Sequence, residues 1–180
     1  MRLPVDLAGV LEALGNTMTI TDRVVLDDVD LGAEHYSFAG PADYTVTFTN
    51  GGAGQIVATG TVSVTARATC VRCLQDFDLR VSAAIDAYFV LPGREAEIPD
   101  EQEYDVIREN RIDLYPALEQ SVAVEFPFAP VHDADCEGIC PVCGGDRNVV
   151  PCTCEVAGPS SPFAALRDML PSGHEELGDS

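Results

Sequence analysis

Ile56-Val57-Ala58-Thr59-Gly60-Thr61-Val62-Ser63-Val64-Thr65-Ala66-Arg67-Ala68-Thr69-Cys70, followed after a short break by Phe77-Asp78-Leu79-Arg80-Val81-Ser82-Ala83-Ala84-Ile85-Asp86-Ala87-Tyr88-Phe89, repeats with a period of two. In the first half the apolar residues and Cys70 take the even positions. Thr59, Thr61, Ser63, Thr65, Arg67 and Thr69 take the odd ones. In the second half Phe77, Leu79, Val81, Ala83, Ile85, Ala87 and Phe89 form the apolar set. Successive strand side chains point to opposite faces, so each run is a long strand with one buried face. Residues 70–76 join them as an antiparallel hairpin with Cys70 and Cys73 at its tip.

Outward from the hairpin, Tyr44, Val46 and Phe48 alternate with Thr45, Thr47 and Thr49 as a further half-buried strand, and Asn50-Gly51-Gly52-Ala53-Gly54 reads as the turn after it. Ile20–Leu31 is strand-like but broken by Asp27-Asp28, and Asp6–Leu14 is an apolar, helix-like stretch ending at Gly15. Pro92–Glu103 is an acidic loop. Leu114, Tyr115, Leu118 and Val122 have helical spacing, with Asp113 as expected N-cap and Pro116 in the first turn. Ser161-Pro162 opens an expected last short helix carrying Phe163, Leu166 and Leu170.

These elements predict an α+β fold: a mainly antiparallel β-sheet with a long hairpin (about 55–90) and one packed helix (about 113–124), to which the cysteine pairs Cys140/Cys143 and Cys152/Cys154 add a small C-terminal zinc knuckle. Expected boundaries are a core domain at 1–130, a cysteine-rich zinc-binding segment at 131–157, and a linker, short helix and flexible tail at 158–180.

The 46% hydrophobic content and 22% charged residues describe a foldable chain. The formal charge is −20, and all ten basic residues are Arg. Such acidity opposes a broad phosphate-binding surface, which needs clustered cations, and favours basic partners. Arg67, Arg72 and Arg80 near the hairpin tip are the candidate nucleic-acid or partner patch. No secretory leader and no membrane span are expected, which points to the cytoplasm and reduced thiols.

Seven cysteines in such a setting point to metal. Cys140-Pro141-Val142-Cys143-Gly144-Gly145 pairs two thiolates around a tight turn, with glycine available for positive φ. Cys152-Thr153-Cys154 adds a second pair, and four thiolates complete a tetrahedral zinc site in a segment too short to fold otherwise. Cys70 and Cys73 suit metal ligation, a redox pair or buried structural thiols. With Cys136 and His132 they would make a second site, of three cysteines and one histidine, although one zinc shared by Cys70, Cys73 and two tail cysteines is an alternative grouping. Filling both sites would bring the charge near −23, because four thiolates on one divalent ion leave two negative charges and three leave one. Phosphate-loop, H-E-x-x-H and G-x-S-x-G motifs are absent, and cysteine-dominated ligation is structural in character, so no catalytic residue is named and no enzyme expected.

The motifs occur in a definite order: Cys70-Val71-Arg72-Cys73-Leu74, Phe126-Pro127-Phe128-Ala129-Pro130-Val131-His132-Asp133, Cys136-Glu137-Gly138-Ile139-Cys140-Pro141-Val142-Cys143-Gly144-Gly145-Asp146, Cys152-Thr153-Cys154 and Ser161-Pro162-Phe163. In that combination, over roughly residues 20–170, the chain resembles the cysteine-rich form of the YceD family of bacterial large ribosomal RNA subunit accumulation proteins. The resemblance implies a non-enzymatic ribosome-biogenesis factor, a ribosomal protein or pre-ribosomal particle as partner, possible rRNA contact, and no small-molecule substrate. Arg147 stands where the family usually has Leu, at a position that is not a ligand. A thiol- or zinc-dependent redox protein using Cys70 and Cys73 is the alternative.

Overall fold

The computed structural model describes residues 1–154 apart from positions 33, 100 and 151. The expected helix opening at Ser161-Pro162 lies outside the described residues. In chain order the elements are β1 (Pro4–Asp6), α1 (Ala8–Leu11), β2 (Thr17–Val24), β3 (Val29–Leu31), β4 (Glu34–Phe38), β5 (Ala42–Gly52), β6 (Gln55–Thr69), β7 (Asp76–Val90), β8 (Asp105–Val106), β9 (Arg111–Asp113) and α2 (Tyr115–Glu125). They belong to a unit running Met1–Glu137; a second unit begins at Gly138.

The long hairpin organises the first unit. β6 and β7 pair antiparallel in unbroken register from Gln55 opposite Val90 to Thr69 opposite Asp76. β5 pairs with the other edge of β6, and β2 extends the sheet beyond β5. β4 continues along that edge of β6 through Ser37 and Phe38, and carries β3. β7 gains a short parallel partner in β8. The alternating apolar set lies inward: Ile56, Ala58, Val62, Val64, Ala66 and Ala68 on β6 are buried, as are Val81, Ala83, Ile85 and Phe89 on β7. Water exclusion from this face is the main stabilising term.

Gly60 interrupts the apolar series. A Cβ there would lie 2.0 Å from the Thr45 carbonyl oxygen and 2.9 Å from the Val46 Cα. Only glycine lets β5 approach β6 so closely.

α2 buries Tyr115, Leu118 and Val122, on the expected spacing. It begins one residue later than expected, with Leu114 at the N-cap position. Asp113 instead closes β9, and its Oδ1 accepts from the backbone N–H of Leu3 at 2.8 Å and of Tyr115 at 3.1 Å. One carboxylate thus joins the N-terminal strand to the helix start. Past the helix, Phe126 stacks on fully buried Tyr36 at 4.2 Å, and Tyr36 donates to the Pro127 carbonyl at 2.6 Å.

The N-terminal apolar stretch forms only one short helical turn, because β1 and β2 claim its flanks. β1 pairs with β9 across more than a hundred residues, a short contact without a period-two signature. Within the acidic stretch 92–103 there is a brief 3-10 turn at Glu95–Glu97, and its other described residues form no helix or strand.

Candidate metal centres

The β6–β7 connection builds the first centre. Cys70 N–H donates to the Gln75 carbonyl at 2.8 Å, and Leu74 N–H donates to the Cys70 carbonyl at 2.8 Å. Leu74 takes φ +61° to close this loop. The turn receives Val131–Cys136 against it: Val71 N–H donates to the Pro130 carbonyl at 2.9 Å, while Arg72 Nη1 donates to the carbonyls of Ala134 and Cys136 at 2.9 and 3.1 Å.

These contacts gather Cys70, Cys73, His132 and Cys136, whose ligand atoms all lie within 4.8 Å of one another. Cys70 Sγ is 3.9 Å from Cys136 Sγ, and Cys73 Sγ is 3.4 Å from His132 Nδ1. Tetrahedral bonds of about 2.3 Å to sulfur and 2.0 Å to nitrogen would set those edges at about 3.8 and 3.5 Å. The donor set therefore fits a tetrahedral cation that accepts soft ligands. Phe77 and Val131 pack around the thiols, and the Phe77 ring meets the His132 ring edge-on at 6.3 Å.

Electrostatics within the group are divided. Burial pushes the Cys70 thiol up, but hydrogen bonding by His132 and by backbone groups of Cys73 and Arg72 outweighs it and holds the thiol at about 5. Burial, together with the neighbouring Cys70 and Cys136 sulfurs, pushes Cys73 up to about 11. The Cys70 thiolate forms readily while crowding opposes ionisation of Cys73, and a divalent cation would remove that conflict.

The second unit repeats the loop. Cys140 N–H donates to the Gly145 carbonyl at 2.8 Å, Gly144 N–H donates to the Cys140 carbonyl at 2.9 Å, and Gly144 has φ +73°. Both bonds and the positive φ fall at the same offsets from the first cysteine as in the Cys70 loop, with glycine where the other has Leu74. Here too the ligand atoms of Cys140, Cys143, Cys152 and Cys154 come within 4.8 Å of one another. Backbone N–H groups of Cys143 and Val142 hold Cys140 at about 6 against the opposing effect of burial. Hydrogen bonding with Cys143 and then burial push Cys154 up to about 12.

The three arginines singled out from sequence are placed in different roles. Arg67 pairs with cross-strand Asp78 at 2.6 Å on the exposed sheet face. Arg72 is turned onto the two carbonyls named above. Arg80 lines a cleft of about 360 Å3 with Asp43, Ser63 and Thr65.

Two other clefts were not singled out from sequence. One, of about 820 Å3, lies between β7, residues 101–105 and α2, with Asp86, Glu101, Glu103 and Asp105 beside exposed Tyr104 and Val124. The other, of about 570 Å3, gathers Arg2, Arg108 and Arg111. No local spacing pattern announces these groups, because β1–β9 pairing and α2 docking assemble them from separate stretches.

The profile of the family described as "Large ribosomal RNA subunit accumulation protein YceD" matches residues 58–170, more than half of the sequence. This chain belongs to that family. The match begins inside β6 and takes in the β7 strand and all eight candidate ligands. An uncharacterized protein of Mycobacterium tuberculosis is 36% identical over 90 residues, covering 49% of this chain and 44% of the relative. An uncharacterized protein of Mycobacterium leprae is 30% identical over 97 residues, covering 53% of this chain and 45% of the relative. The alignments thus span less than half the length of these curated relatives. No solved structure matches. Among the described residues no helix is long and apolar enough to cross a membrane.

Proposed function

We propose that this YceD-family chain is a non-enzymatic, zinc-organised binding module that supports accumulation or processing of large-subunit (23S) ribosomal RNA in the cytoplasm. The observation that carries the reading is the pair of four-ligand groups built on matching C-x-x-C turns, in a chain whose family is described by rRNA accumulation. A set of three thiolates with one imidazole, and a set of four thiolates, favour zinc among common cations, and four protein ligands leave no position for a reacting water. The metals' role is accordingly to fix backbone: the first holds residues 131–136 to the hairpin turn, and the second orders the segment from Gly138 to Cys154.

A net charge of −20 favours basic protein partners, such as a ribosomal protein within a pre-ribosomal particle. The 820 Å3 cleft has matching character, with carboxylates beside exposed apolar and aromatic side chains.

The test is depletion of the protein in its host, followed by complementation with a tagged wild-type copy, with Cys73→Ser and Cys143→Ser copies, or with none. Wild type is expected to restore the ratio of large- to small-subunit rRNA and to recover pre-ribosomal particles. Each variant should lose one metal ion per chain and restore the ratio less well. An unchanged ratio on depletion would overturn the ribosomal reading, and metal-free protein purified under reducing conditions would overturn the zinc reading.

The redox alternative draws on the Cys70 thiol, held at about 5. It differs in chemistry: thiolates held by zinc resist alkylation until chelator is added, whereas a redox pair alkylates at once and cycles with thioredoxin.

A further inference from the structure

The 570 Å3 cleft brings together arginines from separate stretches of the chain. Three of the ten arginines, Arg2, Arg108 and Arg111, line it. Arg108 and Arg111 flank a two-residue turn and exchange both backbone hydrogen bonds, Arg108 N–H to the Arg111 carbonyl at 3.0 Å and the reverse at 2.8 Å. Glu109 and Asn110 take φ +52° and +59°, which is a type I′ turn. Asn tolerates that region, whereas Glu is rarely found there. The Asn110 carbonyl accepts from Leu7 N–H at 2.7 Å, fixing the turn to the N-terminal segment.

Directly opposed residues of a hydrogen-bonded pair project their side chains to the same side of the ribbon. The pairing therefore sends both arginine side chains to one side of the ribbon and into one cleft, where an anion between them relieves the repulsion of like charges. Among the described residues Arg2 and Arg108 have no ion pair, and Arg111 has only Asp6 at 3.7 Å. Two carboxylates line the cleft with them: Asp113, whose Oδ1 accepts two backbone N–H groups, and Asp105. Pro4, Val106 and Pro116 supply apolar wall.

We infer that this cleft binds phosphodiester groups of single-stranded RNA, with Arg108 and Arg111 forking onto phosphate oxygens and Arg2 closing the far side. The assignment rests on the ribosomal reading for the choice of RNA. Guanidinium forks match phosphate oxygens bidentately, and two adjacent forks suit a densely charged strand. A flexible single strand can set its phosphates on the guanidinium groups and turn away from Asp105 and Asp113, the carboxylates that share the cleft. A rigid duplex would bring further phosphates against Asp6, Asp105 and Glu109.

The experiment titrates zinc-loaded full-length protein into a fluorescein-labelled, unstructured RNA of about 12 nucleotides, followed by anisotropy between about 0.05 and 0.2 M salt. Three phosphate contacts give a log–log salt slope of about −2, and one contact about −0.7. Arg108→Ala/Arg111→Ala should weaken binding by roughly one to two orders of magnitude at low salt and flatten the slope accordingly. Arg23→Ala, which removes an exposed arginine paired with Asp43 outside the cleft, should leave binding unchanged.

The double variant loses a like-charge pair and one exposed ion pair with Asp6, two small opposing effects, so its melting temperature should stay close to that of wild type. If it unfolds, Arg2→Ala serves instead, because Arg2 precedes β1 and belongs to no strand. The inference is overturned if the arginine variants bind RNA as wild type does, if poly-glutamate of equal charge displaces the RNA as well as unlabelled RNA does, or if inorganic phosphate binds the cleft while RNA does not. None of these outcomes touches rRNA levels on depletion or metal content, so failure here is distinct from failure of the ribosomal reading.

Discussion

Replacing Cys136 by Ser tests the first metal centre quantitatively. Cys136 is buried and brings a ligand from 66 residues beyond Cys70. In the unfolded chain Cys70 and Cys73 remain a local two-thiolate chelate, so what folding adds is closure of the long loop. Treating the ion as a cross-link over 66 residues, the chain-entropy relation gives about 4 kcal/mol. For a unit spanning Met1–Glu137, at about 2.1 cal/mol/K per residue, that corresponds to a fall of roughly 14 °C in Tm. Thermal unfolding followed by far-ultraviolet circular dichroism, with metal counted by mass spectrometry, reads both quantities. Cys136→Ser should hold one ion per chain where wild type holds two, and should melt roughly 14 °C lower. In excess chelator the two proteins should melt together, because the substitution is nearly isosteric and only the metal distinguishes them. A variant that keeps both ions, or a gap between the proteins that persists in chelator, would refute the cross-link argument.

Three further outcomes are expected. Gly60→Ala forces a methyl group against the Thr45 carbonyl and should cost about 3 kcal/mol in urea unfolding, near the upper end of ordinary overpacking penalties. In the paired C-x-x-C loops the penalty for left-handed backbone is exchangeable: Leu74→Gly should stabilise the metal-loaded first unit by about 1 kcal/mol, and Gly144→Ala should weaken metal retention in the second. His35 should titrate above 6.5 by NMR, chiefly through its 2.7 Å hydrogen bond to Asp30, with burial opposing and the charges of Asp30 and Asp28 assisting. Because its folded value is raised, this contact contributes below 6.5 and is lost as pH rises through the folded value; Asp30→Asn should bring the titration back toward 6.5.

The hairpin was legible because β6 and β7 each bury one face along fifteen residues, long enough for period-two alternation to outweigh local exceptions. Gly60 carries no cue of its own in the apolar series, and the close approach of β5 explains it. β8 and β9 are two and three residues long, too short to carry a period, and exist because other strands recruit them. The Cys140 loop announced itself through Gly144-Gly145. Its twin at Cys70 did not, because Leu74 occupies the left-handed position where glycine would be the cue. The eight ligand candidates were countable from sequence, and the fold gathers them as Cys70, Cys73, Cys136 and His132 in one group and Cys140, Cys143, Cys152 and Cys154 in the other. Proximity in sequence grouped Arg67, Arg72 and Arg80; the grouping of Arg2 with Arg108 and Arg111 in one cleft depends on β1–β9 pairing, which no local spacing announces.

The long gap between the halves of the first centre also imposes an order on the protein's own synthesis. Cys73 leaves the ribosome 59 residues ahead of His132, a delay of roughly 3–12 s at ordinary elongation rates. During that interval the hairpin can pair, yet its tip offers an ion only half a coordination shell. β1 waits longer still, since its partner β9 is made after the hairpin, the acidic loop and β8. Completion of the centre therefore marks the moment when α2 and the segment after it have emerged, and it fastens the late part of the chain to the early part. In a nascent chain, capture of an ion by the proposed centre would time synthesis as well as brace the finished fold.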